Sequence, residues 1–478
     1  MTDRDHEPMT DRDGPLATLA GLAETAWLVG GALRDRLLGR PTADYDVVLE
    51  GDVRSIARQL AKAQAAHPFE LSETFGAWRV VSRDRRWTVD LLPLGGETIE
   101  SDLARRDLTI NAIAQPLGQD ELVDPFDGAV DLRERRLRMV SRHTFADDPV
   151  RSLRLVRLAC ELGFEAEAST VAAAAGAAPE LTGVAVERVF AELKRVVSSD
   201  RAPAGLRLMD ELGITPVILP ELSALHGVEQ SPYHHLDVYE HTLAVLGAAL
   251  EVEADPGAFL GVHAERVSEF MSAGVANELT RWQALRFGAL LHDIAKPQTR
   301  AVTDHGRVTF IGHDALGSEM ARKILGRLRA SDRLRDHVAG LTRNHLRLGF
   351  LVHEAPLTRR ALYRYLHESE PVQVDVTVLS VADRLATRGV GSEAAIQRHL
   401  ELARAVLGDA LEWASEPPRA PIRGDELAAA LGVDVGPELG QLLAELEEAT
   451  FAGEVTSRDD AVLHARELLR GRSIGSRA

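Results

Sequence analysis

Two adjacent glycines near the start of the chain have the surroundings of a phosphate-binding turn. Gly30 and Gly31 follow a short apolar run, residues 27–29, which predicts a buried strand. Because glycine has no side chain, backbone N–H groups can approach phosphate oxygens that another residue would hold away. Arg34 follows and would add a fixed positive charge. The turn therefore predicts contact with a phosphate group.

A pair of aspartates follows the glycine turn at strand spacing. Residues 45–49 predict a strand, and side chains alternate along a strand, so Asp44 and Asp46 should project from one face. Carboxylate oxygens are hard ligands that suit Mg²⁺, which usually takes one or two carboxylates together with substrate phosphates. Residues 85–94 alternate in the same way and carry Asp90, which could lie beside this strand as a third carboxylate. The pattern favours phosphoryl transfer with Mg²⁺.

The segment LVGGALRDRLLGRPTADYDVVL, residues 28–49, resembles the head of bacterial tRNA nucleotidyltransferases (CCA-adding enzymes) and of their poly(A) polymerase relatives. A second segment, DLARRDLTINAIA at residues 102–114, resembles the second motif of that family. There an arginine contacts the triphosphate, and Arg106 matches it. Asp107 and Asn111 are four residues apart on a predicted helix and would order the site from one face. Taken alone, this segment could also be an N-capped amphipathic helix with incidental charges.

Residues 145–164 predict one long helix with a clear start. Asp148 can cap it, and Pro149 suits the first helical position. The resemblance implies that Asp148 and Arg151 read the incoming base. A carboxylate accepts from an exocyclic amine while a guanidinium donates to a ring nitrogen, which suits cytosine and adenine. The family more often has glutamate at the position of Asp147. Further nucleotide contacts are implied for Arg154 and Arg157.

A second set of residues with metal-ligand chemistry lies in the C-terminal half. Its order along the chain resembles that of the HD-superfamily metal phosphohydrolases, in which imidazoles and carboxylates from separate helices hold a divalent metal that activates water. The mononuclear set would be His241, His292, Asp293 and Asp383, and His313 and His345 could complete a two-metal site. The sequence leaves the identity of this metal open.

Composition excludes several classes of protein. At 478 residues the chain exceeds one hydrophobic core, so several domains are expected. A lone cysteine, Cys160, excludes an internal disulfide framework, and neither a membrane span nor a secretory signal is evident, so we expect a cytoplasmic protein that binds no membrane. The net charge of −18 disfavours nucleic acid on average. A local basic stripe nevertheless could face nucleotide or RNA; it comprises Arg133, Arg135, Arg136, Arg138, Arg142, Arg151, Arg154 and Arg157.

These observations predict an α+β multidomain protein with a polymerase-β-like nucleotidyltransferase head, a mixed sheet with helices, followed by all-α neck, HD and tail domains. The expected boundaries are a disordered extension at 1–14, the head at 15–138, a helical neck and RNA-binding region at 139–226, the HD domain at 227–390 and a helical tail at 391–478.

The resemblance implies a template-independent enzyme that adds C and A to tRNA 3′ ends from CTP and ATP. Three alternatives lie within the family: a CC-adding enzyme, an A-adding enzyme and a poly(A) polymerase. Residues between Asp52 and Phe75 do not decide among them. A chain acting mainly as an HD phosphohydrolase is a further alternative. A non-catalytic RNA-binding scaffold is disfavoured because two metal-ligand constellations are present.

Overall fold

The computed structural model describes residues 14–73, 75–230, 236–354, 356–388 and 392–475. The chain divides into two compact units, of which the first comprises Met1–Val196 with Arg207–Val217 and the second Val197–Leu206 with Ile218–Ala478. The extension predicted at 1–14 lies, except for Gly14, outside the described residues.

A six-stranded mixed sheet is the centre of the first unit, with the strand order β3-β4-β5-β2-β1-β6. Strands β2 and β5 pair in parallel, whereas the other neighbours in this sheet are antiparallel. The strands are β1 (Ala26–Val29), β2 (Asp44–Leu49), β3 (His67–Ser72), β4 (Ala77–Val81), β5 (Thr88–Pro93) and β6 (Ala114–Pro116).

The apolar residues of β2 explain its central position. Val47, Val48 and Leu49 are all buried, as expected for a strand covered on both faces. The polar start of the strand lies at the edge of this core, where Asp46 stands opposite Val29 of β1 on one side and opposite Asp90 of β5 on the other. The strand predicted at 45–49 and the placement of Asp90 beside it are therefore confirmed.

Helices cover the sheet and continue the chain beyond it. Up to residue 197 they are α1 (Pro15–Leu22), α2 (Gly30–Leu37), α3 (Val53–Ala63), α4 (Ile99–Leu103), α5 (Gly128–Glu134), α6 (Thr144–Asp147), α7 (Arg151–Leu162), α8 (Ala168–Ala177) and α9 (Val186–Val197). Two 3₁₀ helices, Thr109–Asn111 and Ala178–Gly183, and the parallel strands β7 (Arg136–Leu137) and β8 (Glu165–Ala166) connect them. Three helices follow: α10 (Ala202–Glu211), α11 (Thr215–Ile218) and α12 (Pro220–Ser223).

Two predicted helices differ from those observed. In the segment 145–164 the helix is expected to start at Asp148 and Pro149, whereas α7 begins at Arg151 and the short α6 precedes it. Asp148 between them is extended (φ −152°, ψ 95°), as expected for the residue before a proline. Asp148 thus ends α6 instead of capping α7. The predicted helix carrying Asp107 and Asn111 is only the 3₁₀ turn Thr109–Asn111.

The second unit is almost entirely helical. From residue 238 onward its α-helices are α13 (Val238–Ala254), α14 (Pro256–Leu260), α15 (Ala264–Met271), α16 (Arg281–Leu291), α17 (Lys296–Thr299), α18 (His313–Arg327), α19 (Asp332–Asn344), α20 (Arg347–Leu351), α21 (Arg359–Glu368), α22 (Gln373–Ala386), α23 (Ser392–Ser415), α24 (Gly424–Leu431), α25 (Pro437–Phe451) and α26 (Arg458–Gly475). Short antiparallel pairs are formed by β9 (Gly274–Ala276) with β10 (Leu279–Thr280) and by β11 (Ala301–Val302) with β12 (Val308–Thr309).

The helical tail predicted from periodicity is observed. α24, α25 and α26 share a small core of their own, which includes Leu427, Leu442 and Leu446. Among the described residues, no helix is both long enough and apolar enough to cross a membrane.

Gly128→Ala should destabilise the first unit. A Cβ at Gly128 would collide with the backbone carbonyl of Thr109, and overpacking of this kind costs about 1–3 kcal/mol. Because Asn111 lines the cavity described below, the change should also disturb that cavity. Gly176→Ala is the matched control: its Cβ meets open space within helix α8, so the change should stabilise by about 0.5–1 kcal/mol. Equal thermal midpoints for the two variants would contradict this.

Candidate active sites

Three carboxylates lie on the neighbouring strands β2 and β5. Asp44 is exposed and Asp46 is partly buried at the start of β2, and Asp90 is directly opposite Asp46. Across the described residues, neither Asp44 nor Asp46 has a side-chain hydrogen bond or ion pair. By contrast, both oxygens of Asp90 accept from Arg79 of β4, at 2.6 Å from Nε and 2.7 Å from Nη2. The unpaired oxygens of Asp44 and Asp46 fit the ligand set of a magnesium ion.

The glycine turn is adjacent to these carboxylates. Gly30 begins α2 with φ +67°, and a Cβ there would lie 3.1 Å from Asp46 Oδ2 and 3.2 Å from Arg106 Nη1. A larger residue at this position would therefore be strained by the left-handed backbone, and its Cβ would lie in close contact with Asp46 and Arg106. The structure places an aspartate of the Asp-x-Asp pair within reach of the turn.

A cavity of about 570 Å³ joins the turn, the carboxylates and a set of arginines. It is lined by Gly30, Gly31, Ala32, Arg34, Asp35, Thr42, Asp44, Asp46, Arg105, Arg106, Asp107, Asn111, Arg151, Arg154, Arg157, Glu192 and Arg195. Of the residues predicted to bind the nucleotide or to hold the metal of the nucleotidyltransferase site, all except Asp90 and Asp148 line this cavity. The lining combines carboxylates with several guanidinium groups, which suits a metal-bound triphosphate.

A continuous series of hydrogen bonds and ion pairs crosses the cavity floor. Arg34 Nη1 donates to Asn111 (2.9 Å), and Asn111 Nδ2 donates to Asp107 (3.0 Å). The other oxygen of Asp107 accepts from Arg154 (3.1 Å). Arg154 also donates to Glu192 (3.1 Å), and Glu192 forms a 2.8 Å ion pair with Arg157.

Sequence reasoning missed three contributions to this site. Arg105 and Arg195 line the cavity, and Arg79 holds Asp90. Arg105 adjoins the predicted Arg106, so its position was a usable signal. Arg79 could be found only from the pairing of β4 with β5, which the sequence does not reveal.

Burial of charge changes the acidity of two groups. Burial, with a further contribution from Asp90, raises the pKa of Asp46 to about 6, although Arg106 opposes the change. Burial would also raise the pKa of Asp107, but Arg154 and the hydrogen bonds from Asn111 and Leu108 lower it overall. Asp107 is therefore a stable anion, whereas Asp46 is a carboxylate that gains from a nearby cation.

The predicted base-reading pair is close but engaged by a third residue. Asp148 Oδ2 lies 3.9 Å from Arg151 Nε and accepts from Arg188 at 2.6 Å. Arg151 donates to the backbone carbonyls of Thr144 and Arg105, at 3.1 and 2.8 Å. Arg188 thus orients the carboxylate of Asp148, and backbone carbonyls orient the guanidinium group of Arg151.

The second unit brings all six predicted metal ligands together. They form two groups in which the candidate ligand atoms lie within 4.8 Å of one another: His241, His292 and Asp383, and Asp293, His313 and His345. Asp293 stands between the groups. Its Oδ2 is 3.1 Å from His292 Nε2, while its Oδ1 is 3.3 Å from His313 Nε2. One carboxylate can therefore serve two metal ions.

Backbone carbonyls fix three of these histidines in orientation. Nδ1 of His292, of His313 and of His345 lies 2.7–2.8 Å from the carbonyl three residues earlier. An Nδ1–H that donates there leaves Nε2 with a lone pair for a metal. Nε2 of His292 is buried without a hydrogen bond in the described structure. Burial lowers the pKa of His345 to about 4, which keeps this ligand neutral.

A cavity of about 670 Å³ opens beside this cluster. Lys296 lines it and forms a 2.6 Å ion pair with Asp293 Oδ2. The remaining lining includes His353, Ser380, Arg384, Arg398 and His399. Ligand atoms, water access and positive charge suit hydrolysis of a phosphoester.

The first unit thus has the fold and paired carboxylates of a nucleotidyltransferase head, and the second has the ligand set of an HD domain. Family models agree. The model described as the Poly A polymerase head domain matches residues 26–94 and 77–138. The probable RNA and SrmB-binding site of polymerase A matches 163–225, and the HD domain matches 238–388.

Several curated proteins resemble nearly the whole chain. The A-adding tRNA nucleotidyltransferase of Deinococcus radiodurans is 35% identical over 442 residues, covering 91% of this chain and 94% of that protein. The CC-adding tRNA nucleotidyltransferase of Thermus thermophilus is 36% identical over 445 residues, covering 91% and 92%. A multifunctional CCA protein of Halorhodospira halophila is 35% identical over 66% of this chain and 72% of its own length. The chain belongs to the tRNA nucleotidyltransferase family.

Solved structures show the same fold. An apo CCA-adding enzyme superposes with a TM-score of 0.63 at 18% identity, covering 95% of this chain and 92% of that one. A tRNA nucleotidyltransferase solved with a primer tRNA and an incoming ATP analogue gives a TM-score of 0.56 at 23% identity, covering 81% and 99%.

Asp46→Asn should stabilise the metal-free protein at neutral pH. A carboxyl with its pKa raised from 3.8 to about 6 favours the folded state fully below the lower value, and this stability is lost as pH rises through the higher one. The advantage of the variant should therefore grow between about pH 4 and about pH 6 and stay level above that range, at about 1–3 kcal/mol. Thermal unfolding with a chelator measures it. A variant no more stable than the parent at neutral pH would contradict the argument.

Asp293→Ala should remove metal from both histidine groups, because its two oxygens face different groups. His241→Ala should affect mainly its own group and lower the metal content by about half. Metal per chain is measured by mass spectrometry after loading with Mn²⁺ or Ni²⁺ and dialysis. His305→Ala, an exposed histidine of the same unit, is the control. An Asp293 variant that still holds as much metal as His241→Ala would refute the bridging arrangement.

Proposed function

We propose that this chain adds cytidylate and adenylate to the 3′ end of tRNA, using CTP and ATP and no nucleic-acid template. One observation carries the proposal: the unpaired carboxylates of Asp44 and Asp46 share a cavity with the glycine turn and with a wall of arginines. Such a cavity suits a triphosphate held by both a metal ion and guanidinium groups. The relatives that cover most of the chain include both CC-adding and A-adding enzymes.

Asp44 and Asp46 would hold Mg²⁺, which when bound supplies charge neutralisation and lowers the pKa of the attacking hydroxyl. Backbone N–H groups of Gly30 and Gly31, with Arg34 and Arg106, would bind the triphosphate. The 3′ oxygen of the RNA forms a bond to the α-phosphorus, the bond to pyrophosphate breaks, and the hydroxyl proton passes to solvent. Asp90 would serve as a third carboxylate beside the metal site formed by Asp44 and Asp46.

The arginines of the site are already oriented. Arg106 donates to Asp102 Oδ2 from Nε and Nη2, at 3.2 and 3.0 Å, and Arg34 is held by Asp35 and Asn111. Side chains fixed in this way lose little conformational freedom when a triphosphate arrives. We propose the same advantage for Arg154 and Arg157 as further nucleotide contacts.

Base selection would rest on Asp148 and Arg151. One accepting carboxylate and one donating guanidinium match the exocyclic amine and neighbouring ring nitrogen that cytosine and adenine share. Arg188 holds Asp148 Oδ2 and leaves Oδ1 for the amine. The exposed arginines of the predicted basic stripe, among them Arg133 and Arg135, would face the tRNA backbone.

A second activity is favoured by the position of Asp293 between the two histidine groups. We propose that the HD domain hydrolyses phosphoesters with two divalent ions. The imidazole-rich ligand set favours first-row transition ions over Mg²⁺. In the reaction, a water oxygen bonds to phosphorus, the ester P–O bond breaks, and the protons of the water end on the released alcohol and on phosphate. The domain boundaries predicted from sequence, with the head at 15–138 and the HD domain at 227–390, remain part of this proposal.

Asp46→Ala should abolish nucleotide incorporation, by about 10³-fold or more if the carboxylate holds the metal. The substrates are tRNA transcripts that end before the first C, after CC and after CCA, each incubated with CTP alone, ATP alone or both. Complete CCA synthesis on the first transcript confirms the full activity. Asp120→Ala, an exposed aspartate outside the described cavity, is the control.

Other outcomes separate the alternatives. Arrest after CC identifies a CC-adding enzyme, and activity only on the CC-ended transcript identifies an A-adding one. Continued addition of A beyond CCA identifies a poly(A) polymerase. Incorporation that survives Asp46→Ala in a clean preparation would refute the site.

A further inference from the structure

We propose that Arg384 and Arg398 form an anion subsite in the HD cavity that binds the terminal phosphate of a phosphomonoester. This inference rests on the phosphohydrolase function proposed above and adds the substrate class and the residues that recognise it. Arg384 follows Asp383 on α22, and Arg398 lies on α23. Both line the cavity of about 670 Å³ beside the metal ligands.

The first argument is that these two arginines lack partners. In the part of the chain that the structure describes, the side chains of Arg384 and Arg398 form no hydrogen bond and no ion pair. Nε of Arg384 is buried in this unsatisfied state. A buried donor without a partner is costly, so one retained in a native cavity indicates a missing acceptor.

Several arginines of the second unit pair with a carboxylate: Arg281 with Asp375, Arg286 with Glu253, Arg327 with Glu221, Arg343 with Asp314, Arg347 with Glu368, and Arg360 with Glu454. Arg404, on the same helix as Arg398, donates to the carbonyls of Ala258 and Phe259. Exposed arginines such as Arg333 also lack a partner among the described residues, but Arg384 differs from them because its Nε is buried and the residue lines the cavity.

The second argument is the balance of charge in the cavity. Lys296 contributes a positive charge but is paired with Asp293. Asp383 is 3.1 Å from His241 and belongs to a metal-ligand group. Asp383 attracts Arg384, but neither arginine forms an ion pair among the described residues, and two like charges that line one cavity favour an anion between them.

The guanidinium group specifies the kind of anion. It offers a planar fork of donors that matches two oxygens of a phosphate. A phosphomonoester has three unesterified oxygens and a charge near −2 at neutral pH, whereas a diester has two and a single charge. Metal ions would bind some of the oxygens of the same phosphate. The monoester would then leave more oxygen atoms to accept hydrogen bonds from the two guanidinium groups than the diester would.

The test measures binding of inorganic phosphate to the metal-loaded, full-length protein by equilibrium dialysis. Arg106→Ala is present throughout, so that the head contributes little phosphate binding. Arg384→Met and Arg398→Met should each weaken binding by about tenfold to a hundredfold, the range for a lost charge-assisted contact. Arg333→Met, an exposed arginine of α19 outside the described cavities, should bind like the parent. Arg384→Lys should be intermediate.

A second measurement compares hydrolysis of p-nitrophenyl phosphate with that of its bis-ester. Loss of either arginine should raise KM for the monoester more than for the diester, with a smaller change in kcat. Metal content is measured for every variant, since Arg384 adjoins a ligand. Arg398→Met, on a separate helix, keeps the test decisive if the other variant loses metal.

The outcomes separate this inference from the function on which it rests. Phosphate binding that depends on the arginines, in a protein that cleaves no phosphoester, would support the subsite and refute the hydrolase. Hydrolysis with phosphate binding unchanged in both methionine variants would refute the subsite alone. Equal increases of KM for both esters would overturn the assignment to monoesters.

Discussion

The nucleotide cavity depends on the buried carboxylate of Asp107. One of its oxygens accepts from Asn111 and the backbone N–H of Leu108, and the other accepts from Arg154. A buried charge is tolerated only when its hydrogen-bonding capacity is filled, and removing one partner leaves the other uncompensated. Asp107 therefore connects the turn beside the sheet with α7, and the cavity keeps its shape because each member of the series satisfies the next.

Much of the head could be predicted from the sequence because its signals are local. A glycine pair after an apolar run, and alternation around Asp44 and Asp46, specify a turn and a strand without knowledge of the partner strands. The clustering of the six candidate ligands of the HD domain could also be predicted, since their order along the chain is the signal. The break at Asp148 could have been predicted as well, because the residue before a proline avoids helical dihedrals and an aspartate that caps a helix is itself extended.

What could not be predicted depends on pairing in space. Arg79 is one of many arginines in the sequence, and only the register of β4 with β5 places it opposite Asp90. The basic stripe likewise resolves into two kinds of residue. Arg133 and Arg135 are exposed, whereas Arg154 and Arg157 line the cavity and are held by Glu192. A count of arginines in the sequence does not distinguish these residues. Their contacts in the structure determine which of them are accessible to solvent or RNA.

The two sites solve one electrostatic problem by different means. Each must keep charged or polar groups ready for a ligand without letting neighbouring groups satisfy them first. In the head, burial raises the pKa of Asp46 because its carboxylate has no partner of its own. In the HD domain, backbone carbonyls occupy Nδ1 of the histidines and so reserve Nε2. A polar group left without a partner lowers the stability of the fold, and a cation that binds such groups only in the folded state would restore it. Incomplete pairing of these groups is therefore compatible with ligand binding at both sites.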